Sequence, residues 1–330
     1  MPLLSVEHLR TEFRGARTVR AVDDVSFTVD AGETVALVGE SGCGKSVTAL
    51  SVMGLLPTRS AVIAGGSVRF DDVELTGLSN RRLRAVRGRG MAMVFQDPMT
   101  SLNPSLTVGR QLMESLRHNL GLSRARARER ATELLAMVGI PEPASRLDSY
   151  PHQFSGGMRQ RVMIAIALAG EPRLILADEI TTALDVTIQA QILDVLRGLT
   201  RESRTALVLI THDLGIVAGM ADRVNVMYAG QIVESASVDD LFANPRMPYT
   251  WGLLTSIPRL DQRRGERLLP IEGTPPDLAD PPTGCRFRAR CAYAREICAR
   301  DAPELAPVGG PSNSQPQFAR CWATQPVDGG

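Results

Sequence analysis

The stretch Gly39 to Ser46, with the sequence GESGCGKS, follows the pattern G-x-x-x-x-G-K-[ST] at every fixed position. This pattern is typical of a loop that binds the phosphates of a nucleoside triphosphate. Its glycines let successive backbone N–H groups turn towards phosphate oxygens. Lys45 would then reach the β- and γ-phosphates, and the hydroxyl of Ser46 would bind Mg²⁺.

The sequence around this loop predicts the strand and the helix that such a site requires. Thr34 to Val38 is an apolar run typical of a buried parallel strand, and Ser46 to Leu56 has the composition of a helix. A glycine-rich turn that matches by accident is the alternative, and both flanks disfavour it. A dinucleotide site is disfavoured because the chain has no G-x-G-x-x-G pattern.

Two further predicted strands end at residues with catalytic chemistry. Arg173 to Ala177 is followed by Asp178 and Glu179, where one carboxylate would bind Mg²⁺ and the other would lie near the attacking water. An ordinary helix-capping turn is the alternative for this acidic pair. Ala206 to Thr211 is followed by His212, at the edge of a parallel sheet where ligands bind, although a single histidine is more often structural.

A third motif is the small-residue turn Ser155-Gly156-Gly157, which opens into the apolar helix Val162 to Ala169. Such a turn presents free N–H groups at a helix N-terminus. Because these groups attract anions, the turn is suited to a second phosphate contact.

The remaining elements predict a sheet with a helical insertion. Antiparallel strands are expected at Leu3 to Phe13, Ala21 to Val29 and Gly66 to Val73, and a further strand at Met91 to Phe95. Phe13 either stacks on a nucleobase or packs in the core. The pattern from Thr107 to Gly139 is helical, with Ser123 as a helix N-cap.

Composition limits the class of protein. At 330 residues with 44% hydrophobic composition, the chain is long enough for one large domain and a smaller one. The 37 Lys and Arg residues nearly balance 36 Asp and Glu residues, so the net charge does not favour nucleic acid as a partner. The longest apolar run, Val162 to Ala169, is far shorter than the roughly 18 residues that span a bilayer. We therefore expect a cytoplasmic protein that does not itself cross a membrane.

In this order, the motifs resemble those of the ATPase subunits of ATP-binding cassette (ABC) transporters, over residues 1 to about 240. The likeness is carried by Gly39 to Ser46 as Walker A, Gln96 as the Q-loop glutamine, Ser155 to Gln160 as the signature motif, Leu174 to Asp178 as Walker B, Ala183 to Asp185 as the D-loop and His212 as the switch histidine. The resemblance implies an α/β fold in which residues 1–240 form a P-loop nucleotide-binding domain. This domain has a RecA-like core, an antiparallel β subdomain and a helical subdomain at about 98–168.

The resemblance also implies roles for individual residues. Glu179 is the implied catalytic carboxylate, and Gln96 and His212 are implied to contact the γ-phosphate and its surroundings. The implied Mg²⁺ ligands are Ser46, Gln96 and Asp178. The implied ATP contacts are Phe13, Gly39, Ser41, Gly42, Cys43, Gly44, Lys45, Ser46, Ser155, Gly156, Gly157, Gln160 and Asp185.

The chain departs from the family at one position beside the catalytic residue. The family usually has proline after the catalytic glutamate, and this chain has Ile180. Proline would bias the backbone of Glu179 towards an extended conformation, so the resting geometry of the carboxylate is expected to differ.

The composition changes after residue 240, where 13 of the 21 prolines lie. We expect residues 241–330 to form a small, irregular C-terminal domain. Asn244 to Thr250 (NPRMPYT) resembles the Asn-Pro-x-His-Pro-Tyr-Thr segment of oligopeptide and dipeptide importer ATPases, with Met247 in place of the histidine. Together with Tyr150 to Gly157 (YPHQFSGG), this segment implies that the chain powers peptide uptake. Importers of nickel chelates, haem or another small solute are alternatives.

Four of the five cysteines lie in this region, at Cys285, Cys291, Cys298 and Cys321. An odd number gathered in this way does not resemble the disulfide framework of a secreted protein. Structural zinc sites usually pair cysteines two to four residues apart, which the x5 and x6 spacings do not match. A zinc site and a set of unliganded thiols nevertheless stay open as alternatives. The resemblance to dipeptide importer ATPases implies a [4Fe-4S] cluster held by the four cysteines, in a structural or redox-sensing role.

The resemblance implies a shared active site and several partners. Two cassettes of this family meet head to tail, so that the signature turn of one covers the ATP on the loop of the other. We expect a second ABC ATPase subunit in a heterodimer, two membrane permease subunits, and indirectly an extracytoplasmic solute-binding protein. The chain would then lie on the cytoplasmic side of the inner membrane, without nucleic acid. A soluble ABC ATPase of translation or DNA repair is the main rival, and an exporter ATPase and a P-loop nucleotide kinase are weaker ones.

Overall fold

A computed structural model of the chain describes residues 1–180, 186–256, 271–308 and 316–324. The chain folds into two compact units. The helical unit contains Met1, Val29–Glu33 and Gly77–Leu209, and the phosphate-loop unit contains Pro2–Thr28, Thr34–Thr76 and Ile210–Gly330. Within the described residues, no helix is long and apolar enough to span a bilayer.

The strands are β1 (Leu4–Phe13), β2 (Val19–Val29), β3 (Thr34–Val38), β4 (Ala61–Phe70), β5 (Val73–Glu74), β6 (Met91–Val94), β7 (Leu174–Asp178), β8 (Ala206–Thr211), β9 (Arg223–Tyr228), β10 (Gln231–Ser237), β11 (Ala306–Pro307) and β12 (Phe318–Ala319). The α-helices are α1 (Lys45–Met53), α2 (Asn80–Val86), α3 (Pro98–Ser101), α4 (Val108–Leu120), α5 (Arg124–Met137), α6 (Pro143–Arg146), α7 (Gly156–Leu168), α8 (Val186–Ser203), α9 (Leu214–Met220), α10 (Val238–Ala243), α11 (Pro248–Thr255) and α12 (Ile297–Arg300). Short 3-10 turns cover Pro151–Gln153 and Arg288–Arg290.

The first sheet of the phosphate-loop unit is antiparallel, as predicted, but the strand predicted at Gly66 to Val73 is divided between the end of β4 and the start of β5. Its strand order is β2-β1-β4-β5, with β1 antiparallel to β4 and β4 antiparallel to β5. Asp71 and Asp72 connect β4 to β5, with φ of 48° and 64°. Positive φ at both central residues matches the right-handed twist of a two-residue hairpin, and aspartate adopts that conformation more readily than most residues.

The second sheet of the same unit carries the phosphate-binding loop. Its strand order is β11-β12-β10-β9-β3, with β3 parallel to β9 and β9 antiparallel to β10. β12 from the C-terminal region pairs antiparallel with β10. Among the described residues after 240, the helices and strands are short, and β12 joins this region to the sheet.

The helical unit contains the predicted helical insertion. In this unit β6 pairs parallel with β7, in the strand order β8-β7-β6. The segment predicted as helical from Thr107 to Gly139 forms two helices, because Gly121 ends α4 in a left-handed conformation (φ 67°). Ser123 caps α5 as predicted, and its hydroxyl accepts the Arg126 N–H at 3.4 Å. Helices α4, α5 and α7 pack against one another over the buried side chains Leu112, Leu116, Leu134 and Leu135.

The strands that precede the predicted site residues match the sequence prediction closely. β3 and β8 have the predicted bounds, and β7 begins and ends one residue later than predicted, at Leu174 and Asp178. Helix α1 is shorter than predicted because Gly54 ends it in a left-handed conformation (φ 62°). The N–H of Gly54 donates to Ser51 and that of Leu55 donates to Leu50, which satisfies carbonyls of the last turn.

An aromatic cluster lies at the centre of the phosphate-loop unit. The rings of Tyr228 on β9, Tyr249 on α11 and Phe287 are buried, and their centroids are 4.6, 5.2 and 5.3 Å apart. Such tilted and edge-to-face pairs add to the free energy of burial. Ala36 and Val38 of β3 belong to the same buried core. The C-terminal region therefore shares one core with the strand that leads into the phosphate-binding loop.

A buried carboxylate on β10 holds the segment that leads into α11. Glu234 is fully buried, and its two oxygens accept the backbone N–H groups of Arg246 at 2.7 Å and Met247 at 2.9 Å. The side-chain amide of Gln317 also donates to it, at 2.9 Å. Burial raises the pKa of Glu234, and the hydrogen bonds act in the opposite direction. This carboxylate therefore fixes the chain immediately before Tyr249.

Replacing Glu234 by glutamine is expected to lower the free energy of unfolding by about 1–3 kcal/mol. Glutamine keeps one acceptor oxygen but turns an NH₂ group towards a buried backbone N–H, which then has no acceptor. Urea unfolding of Glu234→Gln, with the exposed Glu114→Gln as the matched control, measures this difference. Equal unfolding midpoints for the two variants would contradict the structural role of Glu234.

Candidate functional site

The phosphate-binding loop lies between β3 and α1, where the backbone passes very close to its neighbours. Gly39 has a φ of 149° and Gly44 has a φ of 107°. A Cβ atom on Gly39 would lie 2.2 Å from the carbonyl oxygen of Met227, and one on Gly44 would lie 2.4 Å from that of Ala21. Only glycine fits at these two positions. The chain thus forms a tight cradle of main-chain groups, which is the arrangement that phosphate binding requires.

Lys45 closes this cradle from inside. Its side chain is buried, and the ammonium group donates to the carbonyl oxygens of Gly39 at 2.8 Å and Glu40 at 3.0 Å. Cys43 is also buried, and burial raises the pKa of its thiol. The loop therefore holds one fixed positive charge beside a neutral thiol. Ser46 follows Lys45 and is half-buried, and Ser41 and Gly42 are exposed.

Two other predicted residues lie in the phosphate-loop unit. His212 follows β8 directly and is exposed. The next residue, Asp213, caps α9 by accepting the N–H groups of Gly215 at 2.8 Å and Ile216 at 3.4 Å. Phe13 ends β1 and is half-buried, so its predicted alternatives of base stacking and core packing stay open.

In the helical unit, the structure brings together two of the predicted catalytic residues. The amide nitrogen of Gln96 donates to a carboxylate oxygen of Glu179 at 2.8 Å. Asp178, immediately before Glu179, is buried at the end of β7. The carboxylate predicted to orient water is thus itself oriented by a side chain from another element, 83 residues earlier in the chain.

The predicted signature turn opens α7 in the same unit. The hydroxyl of Ser155 accepts the N–H of Met158 at 3.3 Å and caps the helix. Gly156 is exposed, and a Cβ atom there would meet no heavy atom within 4 Å. Gln160 is buried, and its Nε2 has no hydrogen-bond partner among the described residues. The exposed first turn of α7 is therefore the part that is accessible to a ligand. Asp185, predicted as an ATP contact, lies outside the described residues.

The sequence interpretation missed one set of contacts to the loop. Glu40 occupies a variable position of the motif, and its carboxylate is paired with Arg290 at 2.7 and 2.9 Å. Its backbone N–H donates to the hydroxyl of Tyr249 at 2.9 Å. Tyr249 lies in the NPRMPYT segment, which the sequence analysis had already singled out. Nothing in that segment, however, indicates that Tyr249 contacts Glu40.

Comparison with known proteins identifies the family. Residues 22–182 match the family described as ABC transporter, and residues 233–298 match the one described as oligopeptide/dipeptide transporter, C-terminal region. The chain is 51% identical over 321 residues to the dipeptide transport ATP-binding protein DppD of Bacillus subtilis, covering 97% of this chain and 94% of that protein. The chain belongs to the ABC transporter ATPases.

Further comparisons agree with this membership. The chain is 49% identical over 325 residues to the oligopeptide transport ATP-binding protein OppD of Bacillus subtilis, covering 98% of this chain and 89% of that protein. Among solved structures, the dimeric ATP-binding cassette MJ0796 bound to ADP and phosphate matches with a TM-score of 0.65 and 28% identity, over 71% of this chain and 98% of that one. The predicted fold, a P-loop ABC nucleotide-binding domain, is confirmed. This ABC ATPase couples ATP hydrolysis to transport.

Glu179, the predicted catalytic glutamate of this ABC ATPase, has an unusual backbone conformation. Glu179 has a φ of 45°, in the left-handed region that residues with a Cβ rarely adopt. Ile180, which follows it, is buried. The proline usual in the family would favour an extended backbone at Glu179, so isoleucine permits the observed conformation where proline would disfavour it.

The four C-terminal cysteines gather in one part of the phosphate-loop unit. Cys285, Cys291 and Cys321 pack against the buried aromatic core, and the Cys285 N–H donates to the Cys298 carbonyl at 2.8 Å. Burial, aided by the neighbouring cysteines, raises the pKa of the Cys285 thiol to about 11. Among the described residues, however, no three His, Cys, Asp or Glu side chains are placed to hold a metal ion. The described geometry therefore does not fit a preformed metal site, and the predicted [4Fe-4S] cluster has no support from it.

Two substitutions separate catalysis from binding in this ABC ATPase. Glu179→Gln keeps the shape of the side chain and its hydrogen bond to Gln96 but loses the charge that polarises water. We expect a fall in kcat of about 10²–10⁴-fold with ATP still bound. Lys45→Ala removes the ammonium group of the cradle and is expected to weaken ATP binding itself.

ATPase assays and equilibrium ATP binding measure both variants, and Glu171→Gln, an exposed glutamate just before β7, is the matched control. Turnover by Glu179→Gln at the parent rate would exclude Glu179 as the catalytic carboxylate.

Proposed function

We propose that this chain is the ATP-hydrolysing subunit of an importer that takes up peptides through separate permease subunits. The observation that carries the proposal is the joint match to the cassette and to the oligopeptide/dipeptide C-terminal region. The relatives named for dipeptide and oligopeptide transport cover nearly the whole chain and so include both parts. A soluble ABC ATPase of translation or DNA repair would not require this C-terminal region.

The proposed roles of the site residues follow their positions in each unit. The glycines of the loop and Lys45 hold the phosphates of ATP, because the cradle presents main-chain groups and an ammonium group to an anion. Mg²⁺, with Ser46, Gln96 and Asp178 as proposed ligands, neutralises phosphate charge when bound. Glu179, oriented by Gln96, positions and polarises the attacking water, and His212 contacts the γ-phosphate. Phosphoryl transfer needs mainly such positioning and charge stabilisation.

We propose that the complete site forms only between two ATPase subunits. The first turn of α7 is exposed and carries Ser155 and Gly156, which suits it to cover the ATP of a second cassette. The related cassette MJ0796 was solved as a dimer bound to ADP and phosphate. The second subunit is proposed to be a related ATPase in a heterodimer, with Asp185 in the contact. The pair would dock on two permease subunits at the cytoplasmic face of the membrane.

The transported solute is tested by uptake into proteoliposomes that contain the purified complex of this chain with its copurifying subunits and solute-binding protein. We expect ATP-dependent uptake of labelled di- or oligopeptides and low ATPase activity of this chain alone. Glu179→Gln in the same complex is the control for ATP dependence. Uptake of a nickel chelate or haem but not of peptides would replace the proposed solute. Full ATPase activity of a monomer would exclude the shared site.

The iron–sulfur cluster stays a proposal for the C-terminal cysteines. Its support is that the four cysteines lie close enough to interact: burial first, and then neighbouring cysteines with Cys298 always among them, raises the pKa of the Cys285, Cys291 and Cys321 thiols. A bound cation would counter both effects and favour the thiolates. Rearrangement of the side chains would have to accompany cluster binding.

Chain purified without oxygen is expected to be brown, to contain iron and sulfide, and to lose its visible absorption when Cys291 or Cys298 is replaced by serine. Cys43→Ser, outside the C-terminal region, is the matched control. A colourless protein with stoichiometric zinc would exclude the cluster and identify a zinc site. A colourless protein without metal would also exclude the cluster and show that the cysteines are free thiols.

A further inference from the structure

The phosphate-binding loop is held at its second residue by an arginine from the C-terminal region. The two terminal nitrogens of Arg290 donate to the two carboxylate oxygens of Glu40, at 2.7 and 2.9 Å. The side chain of Arg290 is 4% exposed and that of Glu40 is 27% exposed. A two-point contact between a planar guanidinium and a carboxylate fixes orientation as well as charge.

Arg290 is itself fixed by groups on every side of the guanidinium. It donates to the carbonyl oxygens of Glu272 at 2.9 Å and Ile271 at 3.1 Å. The guanidinium carbon lies 5.8 Å from the ring centroid of Tyr228 and 6.0 Å from that of Phe287. The hydrogen bonds to Glu40 are the main cause that raises the pKa of Arg290. The arginine is therefore charged and immobilised before it meets the loop.

A second residue of the C-terminal region fixes the backbone of the same loop position. The hydroxyl of Tyr249 accepts the N–H of Glu40 at 2.9 Å. Tyr249 is fully buried in the aromatic cluster, and burial raises its pKa, so the hydroxyl is neutral. Both the side chain and the N–H of Glu40 thus point to the C-terminal region.

This arrangement affects the charge that the ATP phosphates meet. The carbonyl of Glu40 accepts the ammonium of Lys45 at 3.0 Å, so Glu40 and the phosphate-binding lysine are in direct contact. An unpaired carboxylate at this position would repel a triphosphate. Arg290, which also donates to the carbonyl oxygens of Ile271 and Glu272, pairs with that carboxylate at two points and offsets its negative charge.

We propose that Arg290 and Tyr249 are positioning residues for ATP: they hold Glu40 so that the cradle is preformed and its charge favours a triphosphate. Neither residue touches the nucleotide in this proposal, and both act through Glu40. The proposal rests on the assignment of Gly39 to Ser46 as the ATP site. It gives the C-terminal region a direct part in ATP affinity.

The test uses the purified transporter complex and measures KM for ATP, kcat and the binding of a fluorescent ATP analogue. Arg290→Met keeps the length of the side chain but leaves the Glu40 carboxylate unpaired. We expect it to raise KM and the dissociation constant about tenfold with kcat within about twofold, as loss of uniform binding does. Tyr249→Phe, which keeps the ring, is expected to have a smaller effect in the same direction.

Arg286→Met is the matched control, because Arg286 is also nearly buried, lies in the same segment and pairs with Asp23 and the Ala229 carbonyl instead of the loop. It is expected to lower stability without changing KM. The double variant Glu40→Gln with Arg290→Met is expected to recover most of the affinity, because the unpaired charge is gone. A role confined to stability would give the same KM for Arg286→Met and Arg290→Met and no recovery, and that result would overturn the proposal.

Two outcomes separate this proposal from the site assignment. If Lys45→Ala binds the ATP analogue like the parent, the assignment of the loop fails and the proposal fails with it. If Lys45→Ala loses binding and both Arg290→Met and Tyr249→Phe keep the parent KM, only the positioning role is overturned. Should Arg290→Met not fold, Tyr249→Phe decides the question, since removal of one hydroxyl preserves the aromatic packing.

Discussion

The close approach of the phosphate-binding loop to neighbouring backbone is the constraint on which the rest of the phosphate-loop unit depends. A Cβ atom at Gly39 or Gly44 would overlap a carbonyl oxygen of β9 or β2. The cradle therefore exists only while β9 stays paired with β3 and β2 stays beside Gly44. The buried core beneath β3 and β9 includes Tyr249 and Phe287 from the C-terminal region. Residues far along the chain thus support, by packing, the main-chain groups of the proposed phosphate site.

Charged side chains are also paired with specific partners around the same loop. Lys45 points inward to two carbonyl oxygens, where a phosphate would compete for its ammonium group. Glu40 carries the opposite charge, and its carboxylate is paired with Arg290. In the helical unit, the hydrogen bond from Gln96 holds the carboxylate of Glu179. In both units, a side chain from a distant part of the chain orients an acidic group of the candidate site.

Local patterns in the sequence predicted the parts of the site that depend on local geometry. Gly39, Lys45 and Ser155 belong to motifs whose glycines, lysine and cap have defined conformations, so their elements could be placed from spacing alone. The pair Glu40 and Arg290 is separated by 250 residues and by no periodic pattern, and only tertiary packing brings it together. The four C-terminal cysteines show a second limit of sequence-based prediction. Their closeness in the sequence placed them in one region, but it could not give the distances between their side chains. For the left-handed conformation of Glu179, the only indication in the sequence was Ile180 in place of the proline usual in the family.

The contact between Glu40 and Arg290 has a consequence for exchanging parts between relatives. A boundary near residue 240 looks like a natural place to join the cassette of one protein to the C-terminal region of another. The ion pair and the hydrogen bond to the Tyr249 hydroxyl cross that boundary, so residue 40 and the segment after residue 240 form one structural unit. A chimera that joins a cassette lacking an acidic residue at position 40 to this C-terminal region would bury the positive charge of Arg290 without its partner. Burial of an unpaired charge is strongly unfavourable. A chimera that receives this C-terminal region therefore also needs an acidic residue at position 40.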